Sequence, residues 1–345
     1  MVVRVLNKYL CERLSLLLRG LFEVLETMRQ LAIISRAEFL LPNLGSLIMG
    51  FAWGASPPLS LTELGILVVL SFTIINLSSA IGAQANTISD YELDSRDYRK
   101  KELVRTLDSF GHNQLKKVLI IEFAVTLALV VVFILVKAKP ALLLLWVVGI
   151  SLGCLYSAPP LRIKSRSWLA PVTMILVLAV FPVLFAYFTF TSEFNPVFLL
   201  ALAGLASTVY GVIIPTEIRD YFGDKAVGID TMTVHMGLVK ASLFSIMLLS
   251  LGGTLIGIAF FITFAYGPYP LLSLLVPAIA VTDLIVLRQI KKLYALSKEY
   301  ENSSDRNHIA REITSFSANN PKWIMLVTQT YSLMSIIMLV SKFLH

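Results

Sequence analysis

Long apolar stretches recur along the chain, separated by short polar connections. Nine of them approach the length of roughly 20 residues that an α-helix needs to cross a bilayer. Their predicted bounds are 39–56, 61–82, 118–136, 140–157, 168–191, 196–217, 241–264, 270–287 and 323–341. This pattern predicts an all-α fold, a multi-pass transmembrane bundle of about nine helices with cap loops at its cytoplasmic end.

The segment before the first apolar stretch has a different pattern. Charged residues such as Arg4, Glu12 and Glu26 interrupt its apolar positions, so it lacks the unbroken apolar core of a signal peptide. We expect residues 1–34 to form an amphipathic helix on the cytoplasmic membrane surface. Residues 35–345 would then form the nine-helix transmembrane domain.

Composition and charge agree with a membrane protein. The chain is 57% hydrophobic and 15% charged, with a mean hydropathy of +0.78, which excludes a soluble or disordered class. Of its 29 Lys and Arg residues, 26 fall on one side of the predicted spans, and the other side holds only Lys137, Lys139 and Lys342. The positive-inside rule places the amino terminus and the basic loops in the cytoplasm and the carboxyl terminus outside. The net charge of +7 therefore reflects topology in the cell membrane, and no nucleic-acid partner is expected.

An acidic cluster follows the second predicted span. Asn86, Asp90 and Asp94 are four residues apart, so a helix would carry all three side chains on one face. Acids this close repel one another, and at a helix carboxyl end the dipole adds to the repulsion. A bound cation would offset these charges.

A second acidic cluster follows the sixth predicted span and contains Glu217, Asp220 and Asp224. Carboxylate and amide oxygens are ligands typical of Mg²⁺, which favours a magnesium site over the alternative of two solvated acidic helix ends. Four spans separate the clusters, which indicates a weak internal repeat of four helices with the ninth appended. Such a repeat would bring the two clusters together.

Basic residues lie at the same predicted membrane face. Arg162, Lys164 and Arg166 follow a Pro-Pro pair that ends the fourth span, and Arg96 and Lys100 follow the first acidic cluster. Cations in these places suit the capture of a diphosphate that Mg²⁺ bridges. Ordinary cytoplasmic loop charge is the alternative.

Together these residues resemble the UbiA superfamily of intramembrane prenyltransferases, over most of the chain. The resemblance is carried by Asn86, Asp90 and Asp94 as a first aspartate motif, by Tyr156-Ser-Ala-Pro-Pro through Lys164 as a central loop, and by Asp220 and Asp224 followed by Gly228, Thr231 and Gly237 as a second motif. It implies a cytoplasm-facing cavity in which two Mg²⁺ bind an isoprenyl diphosphate, with Lys164 contacting the diphosphate.

The resemblance assigns roles residue by residue. The metal ligands would be Asn86, Asp90, Asp94, Asp220 and Asp224. The catalytic residues would be Asp90, Asp94, Asp220, Asp224 and Lys164, and the other substrate-binding residues would be Asn86, Tyr156, Arg96, Lys100, Arg162 and Glu217. The expected activity is transfer of an isoprenyl group from an allylic diphosphate to an aromatic or lipid acceptor, with release of diphosphate.

The chain departs from many family members in two places, and three other functions are alternatives. It lacks the Arg-Pro and Ser-Gly that often follow the first motif, and Thr216 stands where many members carry Asn, so the subfamily and the acceptor stay open. A phosphoribosyl-type transferase of the same superfamily would use a polyprenyl phosphate as its acceptor. An ion-coupled transporter would place its acids near the bilayer midplane. A CDP-alcohol phosphatidyltransferase ranks last because its D-G-x-x-A-R run is absent.

Overall fold

The computed structural model describes residues 2–37, 40–95, 100–137, 139–226 and 228–344, and for residues 2–17 and 40–43 the backbone alone. Fifteen α-helices and no strand are found in these ranges. The helices are α1 (Val2–Ile34), α2 (Leu40–Gly54), α3 (Leu61–Ser89), α4 (Tyr91–Asp94), α5 (Lys101–Phe110), α6 (His112–Lys137), α7 (Ala141–Leu155), α8 (Leu169–Ile175), α9 (Phe181–Phe190), α10 (Pro196–Ala226), α11 (Met232–Met236), α12 (Leu238–Ala265), α13 (Pro277–Asn302), α14 (Arg306–Ser317) and α15 (Asn320–Phe343).

Seven helical segments of the described chain are long and apolar enough to cross a membrane. They are Leu61–Ser89, His112–Lys137, Leu169–Phe190, Pro196–Ala226, Leu238–Ala265, Pro270–Asn302 and Arg306–Phe343. Two shorter apolar helices, Leu44–Gly54 and Ala141–Leu155, coincide with the remaining predicted spans. The prediction of an all-α multi-pass bundle is confirmed, and the chain is an integral membrane protein.

The two largest apolar cores of the described residues share α2 and α9. One core joins those helices to α3, α6 and α7, and the other joins them to α10, α12, α13 and α15. Glycines permit the close contact of α2 with α9, since a Cβ on Gly50 or Gly54 would lie 2.5 Å from a carbonyl oxygen of α9. Because α15 packs against α2, the last helix joins the first apolar helix.

Two lysines cap helices at the end of the bundle opposite the aspartate motifs. Lys139 Nζ donates to carbonyls at the end of α9 at 2.8 and 2.9 Å, and Lys342 Nζ donates to carbonyls at the end of α2 at 2.7 and 3.1 Å. Burial, together with the charge of Lys137, lowers the pKa of Lys139. Cations at helix carboxyl ends satisfy carbonyls that have no partner within the helix. These lysines therefore have local structural roles.

The helix α1 reaches the first aspartate motif at its carboxyl end. Ile34 packs with Leu107, Phe110 and Leu115 of α5 and α6, and its carbonyl accepts from Thr87 Oγ1 at 3.3 Å. Thr87 is the residue after Asn86. The amino-terminal helix and α5 thus cover one side of this motif, whereas the placement of α1 on the membrane surface stays a prediction.

Candidate functional site

The first aspartate motif lies where α3 ends. Asp90 follows the last residue of α3, and the short helix α4 ends at Asp94. Helical hydrogen bonds nevertheless continue across the break, because the Asp90 amide donates to Asn86 O at 2.9 Å and the Asp94 amide donates to Asp90 O at 2.8 Å. The three residues therefore keep the fourfold spacing on which the sequence prediction rests.

Each carboxylate of this motif pairs with a cation. Asp90 contacts Lys164 Nζ, and Arg162 lies 3.7 Å from the same oxygen. Asp94 is buried and accepts from Lys100 Nζ at 2.5 Å. The cations that we expect to bind a phosphate thus pair with the carboxylates of this motif in the structure. These pairs offset the repulsion between the neighbouring acidic side chains.

The central loop folds back so that its cations reach the motif. The Lys164 amide donates to Tyr156 O at 2.9 Å, and Arg162 adopts a left-handed conformation with φ of 39°. A residue with a side chain seldom adopts this conformation, and such residues concentrate at functional sites. Burial lowers the pKa of Lys164, and the carboxylate of Asp90 opposes that shift.

The second motif lies on one helix of 31 residues. The helix α10 continues past residue 217, where the predicted membrane span ends, through Asp224 to Ala226. Glu217 accepts hydrogen bonds from Thr233 Oγ1 at 2.7 Å and from the Tyr210 hydroxyl at 3.3 Å. Arg219 donates two hydrogen bonds to the neighbouring Asp220, at 3.0 and 3.1 Å.

Tyr156 lies between the two motifs. Burial raises the pKa of its hydroxyl, and the nearby carboxylates of Glu217, Asp90 and Asp224 raise it further. The same loop also reaches the segment after the second motif, because Ser167 Oγ donates to Asp230 Oδ2 at 3.0 Å. The structure therefore brings the two acidic clusters and the central loop into one site.

The oxygen donors of the site suit a hard cation. Asn86 Oδ1 is buried and has no hydrogen-bond partner in the described part of the chain, although a buried acceptor normally has one. Its neighbours Asp90 and Asp94 add carboxylate oxygens. No three His, Cys, Asp or Glu side chains within the described ranges form a closed metal cage. An ion bound here would need ligands from elsewhere, as Mg²⁺ commonly does when it shares a phosphate.

Two of the predicted or weighed cations are not placed at this site. Arg96 lies outside the described residues. Arg166 Nε donates to Leu161 O at 3.1 Å within its own loop.

Sequence reasoning missed the residues that hold the second motif in place. Thr233 binds Glu217 from a helix that begins after the motif, and no repeat spacing or charge pattern marks it. Arg219 pairs with the adjacent Asp220, and neighbouring residues on a helix point about 100° apart, so no spacing pattern in the sequence marks this ion pair.

Comparison with known proteins identifies the family. The sequence profile of the UbiA prenyltransferase family matches residues 43–297. The chain belongs to this family. The matched segment contains every residue assigned to the site, including those of the first motif, the central loop and the second motif. No curated protein matches the chain.

Solved structures of UbiA homologues share the fold. A UbiA homologue from Archaeoglobus fulgidus bound to GPP and Mg²⁺ is 20% identical, with a TM-score of 0.60 over 87% of this chain and 99% of that one. An apo homologue from Aeropyrum pernix K1 is 16% identical, with a TM-score of 0.57 over 88% and 98%. A digeranylgeranylglyceryl phosphate synthase is 16% identical, with a TM-score of 0.56 over 90% and 99%. At such identities the likeness shows the fold, and the resemblance to this superfamily is confirmed.

Proposed function

We propose that this protein transfers an isoprenyl group from an allylic isoprenyl diphosphate to an aromatic or lipid acceptor and releases diphosphate. The observation that carries the proposal is that the basic central loop contacts both acidic segments: Lys164 and Arg162 pair with Asp90, and Ser167 Oγ donates to Asp230, just after the second motif, at 3.0 Å. A site with both hard oxygen donors and cations suits a metal-bound diphosphate better than it suits a metal ion alone or a diphosphate alone.

The residues present fit Mg²⁺. Asn86, Asp90 and Asp94 would hold one ion, and Asp220 and Asp224 would hold a second. When bound, Mg²⁺ would supply neutralisation of the charge that develops on the leaving diphosphate. The Archaeoglobus fulgidus homologue bound to GPP and Mg²⁺ supports this assignment.

The chain's own cations would bind the diphosphate oxygens. Lys164 is 14% exposed and Lys100 33% exposed, so both ammonium groups are shielded enough to act strongly on a bound anion. Arg162 would add a planar donor to the same group. These contacts strengthen as the C–O bond breaks and its electron pair moves to the diphosphate, which lowers the barrier.

The remaining groups would shelter the allylic carbon. The raised pKa of Tyr156 keeps its hydroxyl neutral, and the face of its ring attracts positive charge. The apolar helices limit competing attack by water. The acceptor then bonds to the allylic carbon and loses a proton. We place this site at the cytoplasmic face of the cell membrane, where most of the basic residues lie.

The test uses purified protein in lipid nanodiscs. Labelled farnesyl and geranylgeranyl diphosphates are supplied with and without Mg²⁺, together with quinone precursors and lipid alcohols. We expect Mg²⁺-dependent diphosphate release and label transfer in the wild type, reduced at least about 100-fold in Asp90→Asn and Asp220→Asn. Both variants keep the side-chain volume and remove the charge. Full activity in either would refute the metal role of that motif.

A second arm addresses the phosphoribosyl-type transferase. The same nanodiscs receive a phosphoribosyl diphosphate donor and a polyprenyl phosphate. Transfer in this arm, with none from the prenyl diphosphates, would replace the proposed activity. Membership of a prenyltransferase family disfavours the transporter.

A further inference from the structure

Pro215 lies inside α10, five residues before Asp220. A proline has no amide hydrogen, and its ring crowds the carbonyl four residues earlier. The carbonyl of Gly211 therefore loses its helical partner in the middle of a membrane-embedded helix. In such a place an unsatisfied carbonyl is costly, so another group must donate to it.

A serine of α12 donates to this carbonyl. Ser245 is fully buried, and its Oγ lies 2.5 Å from Gly211 O. The contact requires close packing of α10 on α12, which the glycine permits, because a Cβ on Gly211 would lie 3.0 Å from Leu249 N. A side chain from a neighbouring helix thus replaces the bond that Pro215 removes.

An asparagine of α15 binds the next carbonyl. Asn320 is fully buried, and its Nδ2 donates to Val212 O at 2.7 Å and to Thr216 Oγ1 at 2.6 Å. These two acceptors lie on either side of Pro215. Asn320 also lies beyond residues 43–297, the segment that the family profile matches. The last helix of the chain therefore contacts α10 where its regular bonding is interrupted.

We propose that Ser245 and Asn320 are positioning residues that fix the direction of the last three turns of α10. This inference rests on the proposed function, because those turns carry Asp220 and Asp224. A tilt of about 10° at Pro215 would move a group about 13 Å further along the helix by about 2 Å. Metal ligands tolerate deviations of about 0.2 Å. Small losses of support at Pro215 would therefore be felt at the second motif.

The direct test measures the direction of α10. Spin labels are attached at Glu92→Cys and Ala226→Cys, two exposed positions beside the two motifs, with Cys11 and Cys154 replaced by Ser. Pulsed electron paramagnetic resonance in nanodiscs then gives the distance between them. We expect Ser245→Ala and Asn320→Asp each to shift or broaden this distance by about 2 Å or more. Ser242→Ala, a control at another fully buried serine of α12, should not change it.

A double-mutant cycle with Pro215→Ala separates positioning from general packing. Alanine restores the amide hydrogen, so Ser245→Ala should cause no further change in a Pro215→Ala background. An unchanged distance in both Ser245→Ala and Asn320→Asp, or an equal effect of Ser245→Ala in the two backgrounds, would overturn the inference. If Ser245→Ala does not fold, the distance between the two spin labels in Asn320→Asp alone decides whether the inference holds.

A binding measurement connects the direction of α10 to the site. We expect Ser245→Ala and Asn320→Asp to weaken Mg²⁺-dependent binding of geranylgeranyl thiodiphosphate about tenfold, with binding by Ser242→Ala unchanged. A shifted helix with unchanged affinity would refute the positioning role. If the wild type binds no diphosphate, the proposed function fails, whereas the distance measurement still decides whether these residues direct α10.

Discussion

The two aspartate motifs have similar sequences and are held in different ways. In the first motif the helix is interrupted at Asp90, and cations from the central loop and from the residue before α5 pair with its carboxylates. The second motif continues along one helix, and within the described residues Asp220 accepts hydrogen bonds from the neighbouring Arg219. The first depends on charges brought from elsewhere in the chain, and the second depends on the course of its helix.

This difference predicts how a substitution in each motif would change the stability of the protein. Neutralising a carboxylate of the first motif leaves cations from distant segments without their partner, in surroundings with little water. The same change at Asp220 affects a pair that is nearly a third exposed, where water replaces much of the lost interaction. Substitutions in the two motifs should therefore reduce activity to a similar extent but lower the free energy of unfolding by different amounts.

The largest stability effect is expected for Asp90→Ala. This change leaves Lys164, only 14% exposed, and Arg162 without their carboxylate, so we expect a loss of about 2 kcal/mol in the free energy of unfolding. Asp220→Ala should cost under about 1 kcal/mol. Thermal unfolding in nanodiscs measures both, and adding Lys164→Met to Asp90→Ala should recover part of the loss. Equal destabilisation by the two alanine variants would contradict the comparison.

The next effect concerns the cations of the first motif. Lys164→Met should weaken binding of geranylgeranyl thiodiphosphate about tenfold, because a hydrogen bond to a charged group contributes about 1.5 kcal/mol or more. Lys100→Met, at a more exposed ammonium, serves as the matched comparison and should have the smaller effect. Titration calorimetry measures both affinities. A larger loss of affinity in Lys100→Met than in Lys164→Met would contradict the order that the burial of the two ammonium groups predicts.

The smallest effect is expected for Thr233→Val, which keeps the shape of the side chain and removes one hydrogen bond to Glu217. Tyr210 still donates to that carboxylate. We expect a three- to fivefold loss in kcat/KM, which corresponds to about 1 kcal/mol for one hydrogen bond. Turnover assays measure it, with Thr231→Val as a control that removes a helix-capping hydroxyl instead. A loss of kcat/KM in Thr233→Val no greater than that in Thr231→Val would show that the hydrogen bond from Thr233 to Glu217 does not support catalysis.

The sequence predicted the bundle because the bilayer demands long apolar helices, and few other patterns satisfy that demand. The predicted membrane spans do not give the ends of the helices. The helices α3 and α10 continue past their apolar stretches because the polar turns that follow carry the motifs, and contacts with other segments support them there. Hydropathy alone gives no sign of those contacts.

The candidate site was predictable where spacing or resemblance marked its residues. Asn86, Asp90 and Asp224 belong to such patterns, and Lys164 follows from its place in the central loop. The contacts of Ser245 and Asn320 were not predictable. Each depends on one buried side chain that reaches the backbone of a helix distant in sequence, and such contacts have neither a period nor a charge signature.

We propose that both motifs hold metal ions on one diphosphate. The most direct test of this proposal is a count of bound Mn²⁺, used in place of Mg²⁺ and followed by electron paramagnetic resonance, in protein with and without geranylgeranyl thiodiphosphate. We expect about two ions per chain only when the diphosphate is present, and a loss of bound Mn²⁺ in Asp90→Asn and in Asp220→Asn alike. The same number of ions after either motif is neutralised, or without the diphosphate, would contradict it.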